Sequence, residues 1–243
     1  MPEFRGYRRP FWDTQPEYLY PHYLSTITRA PSKPLVIIPQ TLSEITGPIF
    51  GYDEIGPADN DLTRQHEGQP IGERMVVSGR VIDENGKPVR AALIEMWQAN
   101  AAGRYRHEVD QHDAPLDPNF TGAGRVLTDD DGRYRFMTIK PGSYPWRNHN
   151  NAWRPAHLHF SVFGLGLPQR LITQMYFPGD PLLEYDPMYH CVPDDKARRR
   201  LISSFDWENA MPEFALAYRF DIVLRGREST PFENDFAGIE QGE

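Results

Sequence analysis

A chain of 243 residues with 39% hydrophobic and 12% aromatic content, 23 prolines and 19 glycines suits a loop-rich globular protein with a substantial core rather than a helical bundle. Its formal net charge of −8 argues against nucleic acid or an anionic membrane as partner, since both call for a basic face, and leaves anionic small substrates open. The single cysteine, Cys191, excludes an intrachain disulfide and a CxxC zinc site, and no apolar run approaches the ~20 residues of a membrane span, so a cytoplasmic location is expected.

Residues 1–40 are rich in Arg, Tyr and Pro and end in LVIIPQ, a candidate edge strand. Such an aromatic arm either wraps a neighbouring subunit or domain, or forms a loose terminus. TLSEIT can make one helical turn, and the connection from Gly47 to Glu73 is full of Gly, Pro and Asp. Connections of that length in a compact domain tend to be functional or to bind a partner. The expected organisation is a single domain, with residues 1–74 as an arm and connection that pack on a partner chain and residues 75–243 as the main strand-rich unit.

From Met75 onward the pattern is that of strands. MVVSGRVID and ALIEMWQA flank ENGKPVR, whose Asn85 and Gly86 predict a hairpin turn. GRYRHEVDQHDAPLDPNFTGAGR interrupts as an irregular excursion, and RVLTDDDGRYRFMTI then predicts a second hairpin around Asp131 and Gly132. HLHFSVF and LITQMYF continue the series, and AYRFDIVLRG closes it with Tyr218, Phe220, Ile222 and Leu224 on one face. The one helix candidate is PDDKARRRLISSF, with Asp194 or Asp195 as N-cap. Seven or eight short, mostly antiparallel strands with long loops and one short helix predict an all-β fold, a β-sandwich.

The densest chemistry lies between Tyr144 and Phe163. In HLHFSVF, Leu158, Phe160 and Val162 share one parity and His157, His159 and Ser161 the other, the period of a half-buried strand. Both imidazoles therefore face one way, about 6.5 to 7 Å apart at the backbone, within reach of one metal ion. A histidine pair on a strand is also compatible with a simple polar face. Upstream, Tyr144, Trp146, Arg147, Trp153 and Arg154 crowd a loop that Pro145 and Pro155 keep irregular. Read alone, Tyr105 is a loop tyrosine between Arg104 and Arg106, and Tyr144 a turn aromatic against Trp146. The sequence contains no GxGxxG, P-loop, GxSxG or heptad pattern, and Asp129, Asp130 and Asp131 lack the rest of a calcium loop.

Four segments, GRYRH around Tyr105, YPWR around Tyr144, RPAHLHF around His157 and His159, and LAYRFDIVLRG, together with IGERMVVSGRV and EMWQANAAGRYRH, resemble the intradiol ring-cleaving dioxygenases. The likeness runs from about residue 20 to about residue 235 and is vague between Leu182 and Lys196. Members of that family hold a non-haem ferric ion, Fe(III), with two tyrosines and two histidines, which by resemblance fall on Tyr105, Tyr144, His157 and His159. Two tyrosinates suit a hard ferric ion, and only a strong nearby cation would keep a group that titrates near 10 ionised at neutral pH. The resemblance makes Tyr144 the ligand that leaves the metal and helps deprotonate the catechol. It places Arg154 beside the ring as a charge-stabilising cation, where the alternative role is a salt bridge, and Trp146, Tyr23 and Met188 around the substrate.

The implied reaction is cleavage of 3,4-dihydroxybenzoate with O2 to 3-carboxy-cis,cis-muconate. The alternatives are catechol or hydroxyquinol as substrate, or a non-catalytic β-sandwich subunit. The implied partner is a homologous alpha chain that completes the pocket in a hetero-oligomer.

Overall fold

The computed structural model describes residues 12–36, 55–150, 153–164 and 169–233. The expected strand in LVIIPQ lies mostly, and the turn in TLSEIT wholly, outside these residues. Two sheets face each other across one core, so the all-β sandwich is what forms. In the first sheet β1 (Arg74–Ile82) runs antiparallel to the whole of β4 (Arg133–Ile139), from Arg74↔Ile139 to Arg80↔Arg133. Its other edge is shared by β10 (Leu216–Arg219) and then β11 (Ile222–Val223), both parallel to it, and β9 (Ser204–Phe205) pairs with β10. The second sheet is antiparallel throughout, in the order β3 (Ala123–Leu127), β2 (Leu93–Trp97), β7 (His157–Phe163), β8 (Leu171–Tyr176). A short ribbon joins β5 (Tyr144–Pro145) to β6 (Trp153–Arg154).

Period-2 alternation explains the core. Val77 and Val81 of β1 and Phe136 of β4 meet Ile94 and Met96 of β2 and Leu158, Phe160 and Val162 of β7. Tyr218, Phe220 and Ile222 join the same cluster and Leu224 packs on it, as the alternation of AYRFDIVLRG predicts. Phe160 is the hinge pin between the layers, with its ring 5.9 Å from Tyr134, 6.3 Å from Phe136 and 5.4 Å from Phe220. At the crossing of β1 with the β10–β11 segment only glycine fits, because a Cβ on Gly79 would sit 1.9 Å from the Phe220 carbonyl oxygen.

Both predicted hairpins need correction. The turns form: Gly86 and Gly132 adopt φ of 78° and 73°, and their N–H groups donate to Asp83 O and Asp129 O, each at 3.0 Å. The flanking strands nevertheless belong to different sheets, β1 and β4 to the first, β2 and β3 to the second. After a single bridge, Ile82↔Pro88, the chain crosses the sandwich. Turn chemistry is local, whereas the choice of partner strand depends on which layer buries the apolar face.

The helical prediction also shifts. PDDKARRRLISSF yields only α3 (Asp195–Arg199), capped by Asp194, whose Oδ1 accepts from Ala197 N–H at 2.7 Å. The end of β8 captures the chain beyond it: Tyr176 N–H donates to Leu201 O at 2.8 Å and Ser203 N–H to Tyr176 O at 2.9 Å. Two further short helices appear, α1 (Thr26–Arg29) and α2 (Pro187–His190), the latter started by Pro187 and capped by Asp186.

Strand β7 is buried on both faces rather than one. Residues 12–36 contribute to the packing of their own chain, with Gln15, Tyr23 and Thr26 buried and Leu24 N–H donating to Asn148 O at 2.9 Å. Leu19, Leu24, Ile27 and Val36 of the same segment stay exposed. Among the described residues no helix is long and apolar enough to cross a membrane.

Because Phe160 locks the histidine strand to the opposite sheet, Phe160→Ala is expected to lower unfolding free energy by about 3–5 kcal/mol, read from urea denaturation.

Candidate metal centre

On the outer face of the second sheet, His157 and His159 lie with ring centroids 4.9 Å apart. The strand register sets their neighbours: Trp97 of β2 lies opposite His159 and stacks on it at 4.9 Å with planes 5° apart, while Gln174 and Tyr176 of β8 lie opposite His159 and His157. Tyr144, brought in by the β5–β6 ribbon, places its Oη 3.3 Å from His157 Nε2. Tyr105 completes the group, its ring edge-on to Tyr144 at 5.4 Å and 6.3 Å from His159. The four side chains singled out in sequence thus converge from three separate segments.

Tyr105 sits on a loop built around Asn100. The Asn100 Oδ1 accepts from the N–H groups of Ala102 and Arg104 at 2.9 and 3.0 Å, and its Nδ2 donates to Pro115 O at 2.9 Å. Asp110 Oδ2 then accepts from Tyr105 N–H at 2.7 Å. Gly103 lets this loop press against the Tyr144 segment: its φ is 76°, and a Cβ there would lie 2.2 Å from Ser143 O.

Each imidazole has its Nδ1 engaged from behind. Pro155 O lies 2.7 Å from His157 Nδ1, and Glu233 Oε2 lies 3.0 Å from His159 Nδ1. Carbonyl and carboxylate only accept, so both Nδ1 atoms carry hydrogen and both Nε2 atoms keep their lone pairs, that of His157 directed at Tyr144 Oη and Arg154 Nη1. Burial holds His157 well below the ordinary histidine range, with the Arg154 charge and His159 adding to the effect. Burial also pushes both phenols up: Tyr105 well above its usual value, reinforced by Tyr144, and Tyr144 less so because Arg154 opposes the shift.

The Tyr105 hydroxyl is buried without a hydrogen bond of good geometry. A buried orphan hydroxyl costs free energy, and a cation bound by its phenolate form would remove that cost. Among the described residues no group of three or more His, Cys, Asp or Glu side chains is arranged for a metal, so a metal at this cluster would rely on the phenols. Two phenolate oxygens with two imidazole nitrogens form a hard, anionic set that fits ferric iron and lacks the thiolates softer ions prefer.

Arg154 is 2% exposed and its partner Asp186 is 0% exposed. The guanidinium engages both carboxylate oxygens, from Nε at 3.2 Å and from Nη2 at 2.8 Å. Nη2 also donates to Gln174 Oε1 at 2.6 Å and Tyr176 Oη at 3.1 Å. Nη1 is the end turned to the cluster, 3.3 Å from Tyr144 Oη and 3.1 Å from His157 Nε2. The salt bridge and the cation beside the site are therefore one residue's two ends.

Trp146 lies against that guanidinium at 5.1 Å, and Tyr23 packs on Trp146 at 4.8 Å. Met188, on α2, receives Gln174 Nε2–H at its sulfur, 3.7 Å away. Of the pocket residues expected from sequence, Arg154 touches the cluster, Trp146 and Met188 touch Arg154 and Gln174 respectively, and Tyr23 reaches the site through Trp146. Sequence reasoning missed Asp186, Glu233, Gln174, Tyr176 and Trp97. A signal existed for Gln174 and Tyr176, which share one parity in LITQMYF as the histidines do in HLHFSVF. None existed for Glu233, whose link to His159 spans 74 positions.

A family model described as Dioxygenase matches residues 45–226, and one described as Protocatechuate 3,4-dioxygenase beta subunit N terminal matches residues 7–41. A protocatechuate 3,4-dioxygenase beta chain of Burkholderia cepacia is 58% identical over 224 residues, covering 91% of this chain and 95% of that one. The chain belongs to the intradiol ring-cleavage dioxygenase family. A protocatechuate 3,4-dioxygenase alpha chain of Pseudomonas putida is 30% identical over 82% of this chain and 98% of its own. Among solved structures, the 3-chlorocatechol 1,2-dioxygenase of Rhodococcus opacus 1CP superposes with a TM-score of 0.53 at 26% identity, covering 74% of this chain and 70% of that one.

In this intradiol dioxygenase the buried pair is a structural commitment. Asp186→Ala would strand the Arg154 charge, at an expected cost of about 3–5 kcal/mol in denaturant unfolding. An effect below 1 kcal/mol would mean that water or another acceptor replaces the carboxylate.

Proposed function

We propose that this chain is the iron-bearing subunit of an enzyme that cleaves 3,4-dihydroxybenzoate with O2, between its two hydroxylated carbons, to 3-carboxy-cis,cis-muconate. The observation that carries the reading is the convergence of the Tyr105 and Tyr144 phenols with the imidazoles of His157 and His159 on one face of the second sheet. The likeness to the Burkholderia cepacia beta chain, over nearly the whole of both chains, supports the choice of substrate. Ferric iron held by these four residues would act as a Lewis acid toward the catechol and draw electron density from its ring, opening it to attack by oxygen.

The chain's own groups then have defined tasks. Tyr144 Oη, set between His157 and the Arg154 guanidinium, would accept one catechol proton. Arg154 Nη1, which touches Tyr144 Oη, presents a fixed positive charge where negative charge develops on the ring. Asp186 and Gln174 hold the other end of the guanidinium, so this charge is positioned before substrate arrives. Trp146 and Tyr23 form an aromatic wall on one side.

The substrate pocket is completed by an alpha-type chain. The exposed Leu19, Leu24 and Ile27 beside the Tyr23 wall give such a partner an apolar surface to cover, and the relatives include both alpha and beta chains. The test is to produce this chain with and without an alpha-type partner and compare turnover of 3,4-dihydroxybenzoate, catechol and hydroxyquinol. Ring cleavage is expected from the two-chain form, fastest on the carboxylated catechol. A chain fully active alone, or faster on catechol, would replace this reading with a homomeric catechol-type enzyme.

A further inference from the structure

Glu233 lies far from every motif in the sequence, yet its Oε2 is 3.0 Å from His159 Nδ1, and both side chains are nearly inaccessible. The segment that delivers it is fastened on two sides. On one side Thr173 Oγ1 donates to Pro231 O at 2.7 Å and Glu233 N–H donates to Ile172 O at 2.7 Å, which docks residues 231–233 beside β8. On the other side Gln15, itself buried, reads the same segment twice: its Oε1 accepts from Phe232 N–H at 2.9 Å and its Nε2 donates to Ser229 Oγ at 3.2 Å. Arg227 adds an ion pair to Asp13 at 2.9 Å. The amino-terminal segment thus clamps the carboxy-terminal one, and the product of that clamp is one carboxylate behind one imidazole.

A strap of chain held by four backbone or buried side-chain hydrogen bonds carries its carboxylate to a fixed place. His157 has a neutral backbone carbonyl in the equivalent position, so the two imidazoles are supported unequally. A carboxylate behind an imidazole fixes its tautomer and ring orientation and makes its other nitrogen a stronger donor, with metal affinity falling by about 10- to 100-fold when the support is removed. Trp97, stacked flat on His159, prevents the ring from turning to another partner.

We propose that Glu233 is a positioning residue for the metal, acting through His159, and that Gln15 is the clamp that seats it. This rests on the reading of the cluster as an iron site. In the assembled, full-length protein, Glu233→Gln keeps the shape and an acceptor for Nδ1–H but removes the charge, and Glu233→Ala removes both. Iron affinity, measured by competition with a chelator, is expected to fall about 10-fold in Glu233→Gln and up to about 100-fold in Glu233→Ala.

The tyrosinate-to-iron absorption band supplies a readout that loose packing would not move. A weaker His159 donor leaves iron more electron-poor, so the band moves to longer wavelength in both variants, and further in Glu233→Ala. Gln15→Ala, which touches neither histidine nor metal, should weaken iron binding in the same direction by a smaller factor. Wild-type affinity and band position in both Glu233 variants would overturn the proposal. So would loss of iron with an unmoved band, which would assign Glu233 to packing alone. A wild-type protein that takes up no iron would instead defeat the underlying reading of the cluster, and the two failures are distinguished by that control.

Discussion

The buried ion pair between Arg154 and Asp186 is the constraint around which the rest of the site is arranged. Arg154 is held on β6 and, through the Tyr144↔Arg154 register, fixes the ribbon that presents Tyr144; Asp186 caps α2, which carries Met188. Gln174 and Tyr176 on β8 saturate the same guanidinium. One charge pair therefore joins the ribbon, the short helix and the sheet, the pieces that surround two of the four proposed donors. The pair is not a source of net stability, since burying two ions costs nearly what their attraction returns. Its effect is geometric, leaving Nη1 as the only end directed at the phenol and imidazole.

A second constraint follows from having a polar sheet face that is also buried. His157, His159, Ser161 and Gln174 need partners, and a sandwich core offers none on its outer side. The cover comes from irregular chain: the Asn100–Asp110 loop with Tyr105, the ribbon with Tyr144, the amino-terminal segment with Tyr23, and the strap with Glu233. The ribbon is a two-stranded pair of its own, and the other three are tied by isolated hydrogen bonds outside the two main sheets. This is why the site is dry enough to shift the titration of His157 and both phenols, while standing on a rigid strand.

Alternation made the core of the fold legible in the sequence, because a strand's two parities are a local property. It placed Leu158, Phe160 and Val162 inward and the histidines together, and Tyr218, Phe220 and Ile222 on the core. Pairing was less legible: Gly86 and Gly132 do turn the chain, but the following strands join the opposite layer. The helix after Asp194 was overextended because the free backbone groups of Tyr176 compete for Leu201 and Ser203, a contact invisible to helix propensity. At the site, the residues that face the cluster were identifiable through the family resemblance. Asp186 and Glu233, which support them, were not, since hydrogen bonds over 32 and 74 positions leave no spacing pattern to read.

The central claim is that two phenols and two imidazoles on one buried face hold ferric iron. Metal analysis combined with a visible absorption spectrum of the purified, active protein tests it most directly. The account predicts iron in proportion to active sites and a broad tyrosinate-to-iron band that makes the protein red-brown. An active protein that contains zinc, or that contains iron and shows no visible band, would contradict it.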